Sequence, residues 1–230
     1  MNAVEPALLL ANLPLFRGLS DAERAPLAAG SRLQRCARGE VLFRRGDQAV
    51  GMYIVVYGRI KLSFVSPAGV EKVIDIVDAG QSFGEAVMFL ESPHVVGAQA
   101  LADALLLFLP KAVVFREIES TPHFARRMLG GLSQRLHQLV ADVESYSTHS
   151  GTERLIGFLL RDCGVDGAGE AGQVLELQLP VAKGVIASRL NLTQEHFSRI
   201  LHDLTALGLI EVQGRKIRVL DLERLRRHVG

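Results

Sequence analysis

Residues 181–207 carry the pattern that most constrains how this 230-residue chain can fold. Apolar residues recur there at helical spacing on both sides of Asn191-Leu192, which predicts two short helices joined by a tight turn. Thr193 is placed to cap the second helix, and Gly208 is placed to end it. The buried faces are assigned to Val185, Ile186, Leu190, Leu192, Phe197, Ile200, Leu201 and Leu204. This pattern is typical of a helix-turn-helix.

The second helix of this motif exposes side chains whose chemistry suits the edges of DNA bases. An arginine such as Arg199 can bind guanine through two hydrogen bonds, and a glutamate such as Glu195 can accept from a cytosine amino group. In a helix-turn-helix this helix enters the major groove. We therefore predict double-stranded DNA as a partner, contacted by Thr193, Gln194, Glu195, His196, Ser198 and Arg199.

A predicted hairpin, residues 209–220, follows the motif and turns at Gly214. Its tip places Arg215 and Lys216 where a wing would contact phosphates, and an alternating strand (Leu175, Leu177, Leu179) precedes the motif after a glycine-rich loop, Gly164 to Gly172. Residues 181–230 hold nine basic and five acidic residues, a net charge of +4, so the rest of the chain carries −3. This asymmetry favours phosphate binding, and the alternative is an ordinary solvated surface.

Residues 32–109 have the character of a β domain. Glycines punctuate the segment at intervals close to those of short strands and turns, at Gly39, Gly46, Gly58, Gly69 and Gly80. The β-rich runs between them are residues 52–56, 60–65 and 73–77. A short helix is expected before this segment, within residues 14–29, opened by a capping box of Ser20 and Glu23.

Residues 122–146 change to a helical period. Leu129, Leu132, Leu136, Leu139, Val143 and Tyr146 follow a 3,4 spacing, which is a heptad seam. The seam predicts a long dimerisation helix and a homodimer, and the alternative is packing on the chain's own β domain. The predicted fold is therefore α+β, with a β-roll sensor domain over 1–120, the dimerisation helix over 121–147 and a winged helix-turn-helix over 148–230.

Composition excludes several classes of protein. The two cysteines, Cys36 and Cys163, lie far apart without a partner motif, which argues against a disulfide framework and fits a reducing cytoplasm. No apolar run is long enough to span a membrane, and no export signal is recognisable. No catalytic set or phosphate-cradling loop is found, so we do not expect an enzyme.

This order of β-roll, long helix and winged helix-turn-helix resembles the Crp/Fnr superfamily of bacterial regulators. The segment 83–100, FGEAVMFLESPHVVGAQA, resembles its cyclic-nucleotide-binding cassette, so the resemblance implies a jelly roll of that type. The segment 193–199, TQEHFSR, resembles an Fnr-type recognition helix. The resemblance implies that Glu195, Ser198 and Arg199 read a palindrome of TTGAT-like half-sites, with RNA polymerase as a further partner.

The sensor departs from the superfamily pattern at three places. The Arg-Ser pair that holds a cyclic phosphate is replaced by His94 and Val95, and the polar pair of the long helix is replaced by Leu139 and Val140. The clustered cysteines of the oxygen-sensing branch are missing, so no iron–sulfur cluster is expected. The effector pocket predicted on this basis comprises Phe83, Gly84, Glu85, His94, Val95, His137, Leu139 and Val140.

Within the superfamily the chain is similar to the dissimilatory nitrate respiration regulators. The pieces that carry this similarity are the cassette segment, SQRLHQL and LPVAKGV. It implies a haem-dependent nitric-oxide sensor that controls denitrification genes, with His94 as the first haem ligand to consider and His137 as the second. For each of these histidines the alternative is an ordinary surface or packing role. The open alternatives are another small-molecule effector, a cyclic nucleotide or no effector.

Overall fold

The computed structural model describes residues 6–162 and 175–228. The chain divides into two compact units, Met1–His137 and Gln138–Gly230, and the boundary between them falls inside the long helix. The predicted glycine-rich loop, Gly164 to Gly172, and Cys163 lie outside the described residues. Within the described residues, no helix is both long and apolar enough to cross a membrane.

The N-terminal unit is built on two antiparallel four-stranded sheets, which confirms the β-roll. One sheet has the strand order β1-β8-β3-β6 and the other β2-β7-β4-β5. The glycines expected at turns occupy the left-handed region, as at Gly58 and Gly69. The strands are β1 Arg32–Cys36, β2 Val41–Phe43, β3 Gly51–Tyr57, β4 Ile60–Val65, β5 Glu71–Val77, β6 Ser82–Phe83, β7 Gly97–Ala100 and β8 Ala104–Pro110.

Aromatic side chains fill the roll between its two sheets. Tyr53 and Phe83 stack with their ring centroids 5.2 Å apart, and Phe43 and Phe108 lie within 6.1 Å of one or both of these rings. All four belong to one buried cluster that also holds Ile60, Leu62, Val77 and Leu106. Burial of this apolar surface is the main force that holds the two sheets together.

From residue 6 onwards, where the description of the chain begins, four helices and a 3-10 turn (Pro14–Phe16) accompany the roll: α1 Pro6–Asn12, α2 Asp21–Gly30, α3 Glu85–Phe89 and α4 Lys111–Ser120. The expected capping box is confirmed, because Ser20 Oγ accepts from the Glu23 N–H and the Glu23 carboxylate accepts from the Ser20 N–H. The expectation that residues 32–109 are all β is wrong at α3, where Gly84 takes φ +88° and starts a helix. No periodic pattern had predicted α4.

The long helix, α5 Pro122–Thr148, confirms the predicted change of period. Its first turns bury Phe124 and Met128 against the N-terminal unit. Four of the six predicted seam residues are exposed in the single chain: Leu129 and Leu136 at 64 %, Val143 at 63 % and Leu139 at 45 %. The other two, Leu132 and Tyr146, are half-buried. Such apolar exposure along one helix stripe is typical of a surface that a second helix covers.

The described part of the C-terminal unit, residues 138–162 and 175–228, contains a three-stranded sheet of order β10-β11-β9 and four helices after α5. The predicted hairpin is confirmed, and β9 adds a third strand to it by pairing antiparallel to β11. The elements are α6 Gly151–Asp162, β9 Leu175–Gln178, α7 Lys183–Arg189, α8 Gln194–Ala206, β10 Ile210–Gln213, β11 Lys216–Val219 and α9 Leu222–Arg227.

Candidate functional site

The helix-turn-helix is formed by α7 and α8 and by a sharp turn between them. Asn191 enables this turn by adopting φ +57°, a conformation that asparagine tolerates better than most residues. Thr193 then caps α8, since its Oγ1 accepts from the His196 N–H at 3.1 Å. The face assigned to the core is buried as predicted, except that Val185 and Leu192 are half-buried.

The first two turns of α8 present the predicted DNA-binding side chains to solvent. Thr193, Gln194, Glu195, His196, Ser198 and Arg199 are all exposed, while Phe197 between them is fully buried. Neither the Glu195 carboxylate nor the Arg199 guanidinium makes a hydrogen bond or ion pair with another described residue. The Glu195 carboxylate can therefore accept hydrogen bonds and the Arg199 guanidinium can donate them on the same face of the helix, as recognition of base edges requires.

The hairpin tip and a neighbouring groove extend this surface. Arg215 and Lys216 are exposed beside Gly214, whose φ of +61° makes the tight turn. A groove of about 290 Å³ borders Ser198 and brings in Lys183 and His202, together with Leu201, Thr205 and Val212. Lys183 was not among the predicted contacts, although its place at the start of α7, within the net-positive segment 181–230, was a usable signal.

In the roll, Glu85 is the most unusual of the predicted pocket residues. It is only 5 % exposed; one carboxylate oxygen accepts from Ser82 Oγ at 3.3 Å, and the other has no hydrogen-bond partner. Burial raises the pKa of this carboxyl, against the opposing attraction of Arg135. Arg135 itself projects from α5 and pairs with Asp75 of β5 at 2.6 Å, a contact that the sequence analysis missed.

The neighbours His94 and Val95 lie in opposite environments. Val95 is 62 % exposed, while His94 is 5 % exposed and stacks on Phe43 with the ring centroids 3.6 Å apart. The His94 backbone is fixed as well, since its N–H donates to Asp47 O and its carbonyl accepts from the Gly46 N–H. Burial lowers the pKa of the His94 imidazole, and the nearby Asp47 carboxylate partly opposes this.

The surroundings of His94 do not fit the role of a haem ligand. An axial histidine presents a ring nitrogen to the iron from an open face of the pocket. Here the imidazole is only 5 % exposed, and one of its faces is covered by the ring of Phe43. Coordination would therefore require His94 to leave this packing.

The remaining pocket residues lie on α5. His137, Leu139 and Val140 are all exposed, with Leu139 45 % and Val140 59 % accessible. Phe83, by contrast, is buried in the aromatic cluster of the roll, 1 % exposed. Of the predicted pocket residues in the roll, Phe83, Glu85 and His94 are therefore buried and Val95 is exposed, while the three on the helix are all exposed.

Two segments of the chain match known domain families. Residues 33–121 match the family of the cyclic nucleotide-binding domain, and residues 153–228 match the Crp-like helix-turn-helix domain. A global nitrogen regulator from Nostoc sp. is 30 % identical over 187 residues, which cover 79 % of this chain and 82 % of that protein.

Solved structures agree with this match. The crystal structure of DNR from Pseudomonas aeruginosa is 33 % identical, covers 96 % of each chain and has a TM-score of 0.50. A CooA mutant from Carboxydothermus hydrogenoformans is 20 % identical with a TM-score of 0.74, and the match covers 100 % of this chain and 97 % of that one. The second similarity concerns the fold alone.

Proposed function

Because the chain belongs to the Crp/Fnr family of DNA-binding transcription regulators, we propose that it binds palindromic DNA as a homodimer. The observation that carries this proposal is the free, exposed pair of Glu195 and Arg199 on the capped first turns of α8. Proteins of this family are transcription regulators rather than enzymes, and the proposed site of action is the cytoplasm.

The seam of α5 supplies the dimer contact. Leu129, Leu136 and Val143 are each more than 60 % exposed and recur at heptad spacing along one stripe. Packing this stripe against its copy removes apolar surface from water on both helices. A two-fold dimer then offers two recognition helices to two half-sites about one turn of DNA apart, ~34 Å.

For the half-site we propose a TTGAT-like sequence, read by Glu195, Ser198 and Arg199. The guanidinium of Arg199 is suited to guanine and the carboxylate of Glu195 to a cytosine amino group. Lys183 borders the groove beside Ser198, and Arg215 and Lys216 are exposed at the hairpin tip, so these three cations are available for phosphates.

A mobility-shift titration with a TTGAT palindrome tests the DNA half of the proposal. We expect the protein to prefer the palindrome to a scrambled duplex by roughly 10³-fold or more at physiological salt. Equal binding to both duplexes would contradict it. The matched control is a duplex with only one intact half-site, which a dimer binds much more weakly.

For the effector we propose haem and nitric oxide, acting on denitrification genes together with RNA polymerase. The support is the sequence resemblance and the 33 % identity to DNR. Since His94 is packed against Phe43, we assign no step of the response to a haem. Haem reconstitution should give a Soret band that nitric oxide shifts, and DNA affinity should change with it.

A cyclic nucleotide is the second candidate effector. It is favoured by the match of residues 33–121 to the cyclic nucleotide-binding domain and by the unpartnered buried oxygen of Glu85. It is opposed by the absence of an arginine at position 94 or 95, since a cyclic phosphate is usually held by a guanidinium. Calorimetry with cyclic AMP separates the two candidates, because binding without haem favours the nucleotide.

A further inference from the structure

Three polar side chains join the last turns of α5 to the end of α7. Arg189 donates from Nη2 to Asp142 Oδ2 at 2.6 Å and from Nη1 to Tyr146 Oη at 2.7 Å. Tyr146 Oη donates in turn to the backbone carbonyl of Arg189 at 2.6 Å. We call Asp142, Tyr146 and Arg189 the clamp; all three belong to the C-terminal unit.

The clamp is shielded from water, so its contacts are stronger than those of an ordinary surface ion pair. The side chains of Arg189 and Asp142 are only 16 % and 15 % exposed. Burial raises the pKa of the Tyr146 hydroxyl, which therefore remains a donor at neutral pH. Arg189 also lies in the last turn of α7, where the helix dipole favours a cation and a terminal carbonyl needs a partner.

The position of the clamp links the dimer helix to the reader helix. Asp142 and Tyr146 are one helical turn apart and therefore share a face of α5. Tyr146 was predicted as the last residue of the dimer seam, but in the single chain it is half-buried and bonded to Arg189, while the neighbouring seam residues Leu139 and Val143 are exposed. On the other side, Arg189 is followed by the sharp turn at Asn191 and then by α8. The turn itself is tight, since the Leu192 N–H donates to Ala187 O at 2.8 Å.

We propose that Asp142, Tyr146 and Arg189 are positioning residues for DNA binding, which fix where each recognition helix stands relative to the dimer helix. They would set the separation of the two half-sites without touching the DNA. This inference rests on the proposed reading of a palindrome by a dimer.

The sign of one substitution separates this role from a simple charge effect. Asp142→Asn keeps the shape of the side chain but removes a negative charge, which by itself should strengthen binding to DNA. Loss of the clamp should weaken it instead, because a shielded guanidinium loses its charged partner. Glu144→Gln is the matched control: it removes the same charge two residues away, from an exposed side chain outside the clamp.

The experiment measures the affinity of the full chain for palindromes whose spacer is the preferred length, one base pair shorter or one base pair longer. One base pair moves the half-sites by about 3.4 Å and rotates one about the DNA axis by roughly a tenth of a turn. We expect Asp142→Asn and Tyr146→Phe to weaken binding at the preferred spacer on the order of tenfold. The preference for that spacer should flatten, while Glu144→Gln should stay within about twofold of the wild type.

Asp142→Asn overturns the proposal if it binds as tightly as Glu144→Gln with an unchanged spacer preference. A loss that is equal at all spacers also overturns it, because reduced stability lowers affinity without changing geometry. Thermal denaturation checks folding, and if Asp142→Asn is unfolded then Tyr146→Phe, which removes one hydroxyl, decides the question by the same criteria. If the wild-type protein shows no preference for a palindrome, the proposed function is contradicted. The clamp can still be detected in that case, because amide hydrogens of α7 should then exchange faster in Tyr146→Phe than in the wild type.

Discussion

Two glutamates at the start of helices show how differently the two units are built. Glu195, in the first turn of α8, is exposed and free of partners within the described chain. Glu85, the first residue of α3, is buried, and burial raises the pKa of its carboxyl. Similar residues near the same kind of helix end thus have opposite surroundings. The C-terminal unit exposes its candidate functional side chains, which suits a large partner such as DNA. The roll instead buries the acidic side chain of its predicted pocket.

The largest effect that would test this difference is the loss of a core aromatic from each unit. Phe197 lies between the proposed readers and is fully buried, so Phe197→Ala should destabilise the C-terminal unit by about 3–5 kcal/mol. DNA binding should be lost while the unfolding transition of the roll is kept. Phe83→Ala, at the centre of the roll, is the matched control. In calorimetry it should lower the unfolding temperature of the roll and leave the transition of the C-terminal unit unchanged. A single transition that shifts for both variants would show that the two units unfold as one.

Next in size is the removal of one reader. Arg199→Ala should cost roughly 1–3 kcal/mol of binding free energy at one base position, because a bidentate contact to guanine is lost. Lys216→Ala, on the exposed hairpin tip, should instead weaken binding to all sequences equally and lower the salt slope by about 1. Titrations on single-base variants of the site distinguish the two patterns. An equal loss on every sequence would make Arg199 a phosphate contact.

A pair of helix caps gives a smaller and more controlled comparison. Thr193→Ala and Ser20→Ala each remove a side-chain acceptor from a helix N-terminus and should each destabilise the fold by about 1 kcal/mol. Only Thr193→Ala should also weaken DNA binding, since α8 carries the readers and α2 does not. Denaturation and mobility shifts on both variants measure this. Equal losses of DNA affinity would mean that stability alone controls binding.

The smallest expected effect is a loss of unfolding free energy of the roll at low pH, caused by protonation of His94. Burial lowers the pKa of His94 below the usual 6.5, so the unfolded chain takes up a proton more readily than the folded one. The contribution of neutral His94 to stability is therefore complete above about pH 6.5 and is lost as the pH falls towards the folded pKa.

His94→Phe should keep the stack on Phe43 and remove this titration. The fall in unfolding free energy between pH 8 and pH 5.5 should then be smaller than in the wild type. Denaturant titrations at the two pH values measure it. An unchanged fall would show that other groups dominate the acid sensitivity of the roll.

The C-terminal unit was predictable because its signals are local. The cap at Thr193, the turn at Asn191 and the apolar period of α8 all lie within a few residues of one another, and the structure confirms each. The glycine spacing likewise predicted the strands of the roll. What the pattern could not give is pairing over long distances in the chain, such as β9 with β11 or Arg189 with Asp142, which are 47 residues apart.

The surroundings of the sensor residues were harder to predict. Their positions in a sequence motif indicate which residues belong to a pocket, but not which side chains pack against them. His94 was predicted to line the effector pocket, with an ordinary packing role as the alternative, and it lies buried against Phe43. Lys61 is a charged residue within the predicted strand 60–65, yet it is only 7 % exposed and pairs with Glu71 at 2.6 Å. Burial depends on what the opposite elements contribute, and periodicity along one strand does not contain that information.

The boundary inside α5 also limits how such a protein can be recombined. Because the division falls between His137 and Gln138, within one continuous helix, an exchange of sensors between relatives has to be spliced in a helix rather than in a loop. A fragment that starts after Thr148 would lose Asp142 and Tyr146 from its DNA-reading part. A splice that adds one residue turns everything beyond it by about 100° and moves it about 1.5 Å along the axis. Successful chimaeras are therefore expected to conserve helical phase at the junction as well as the sequence on either side.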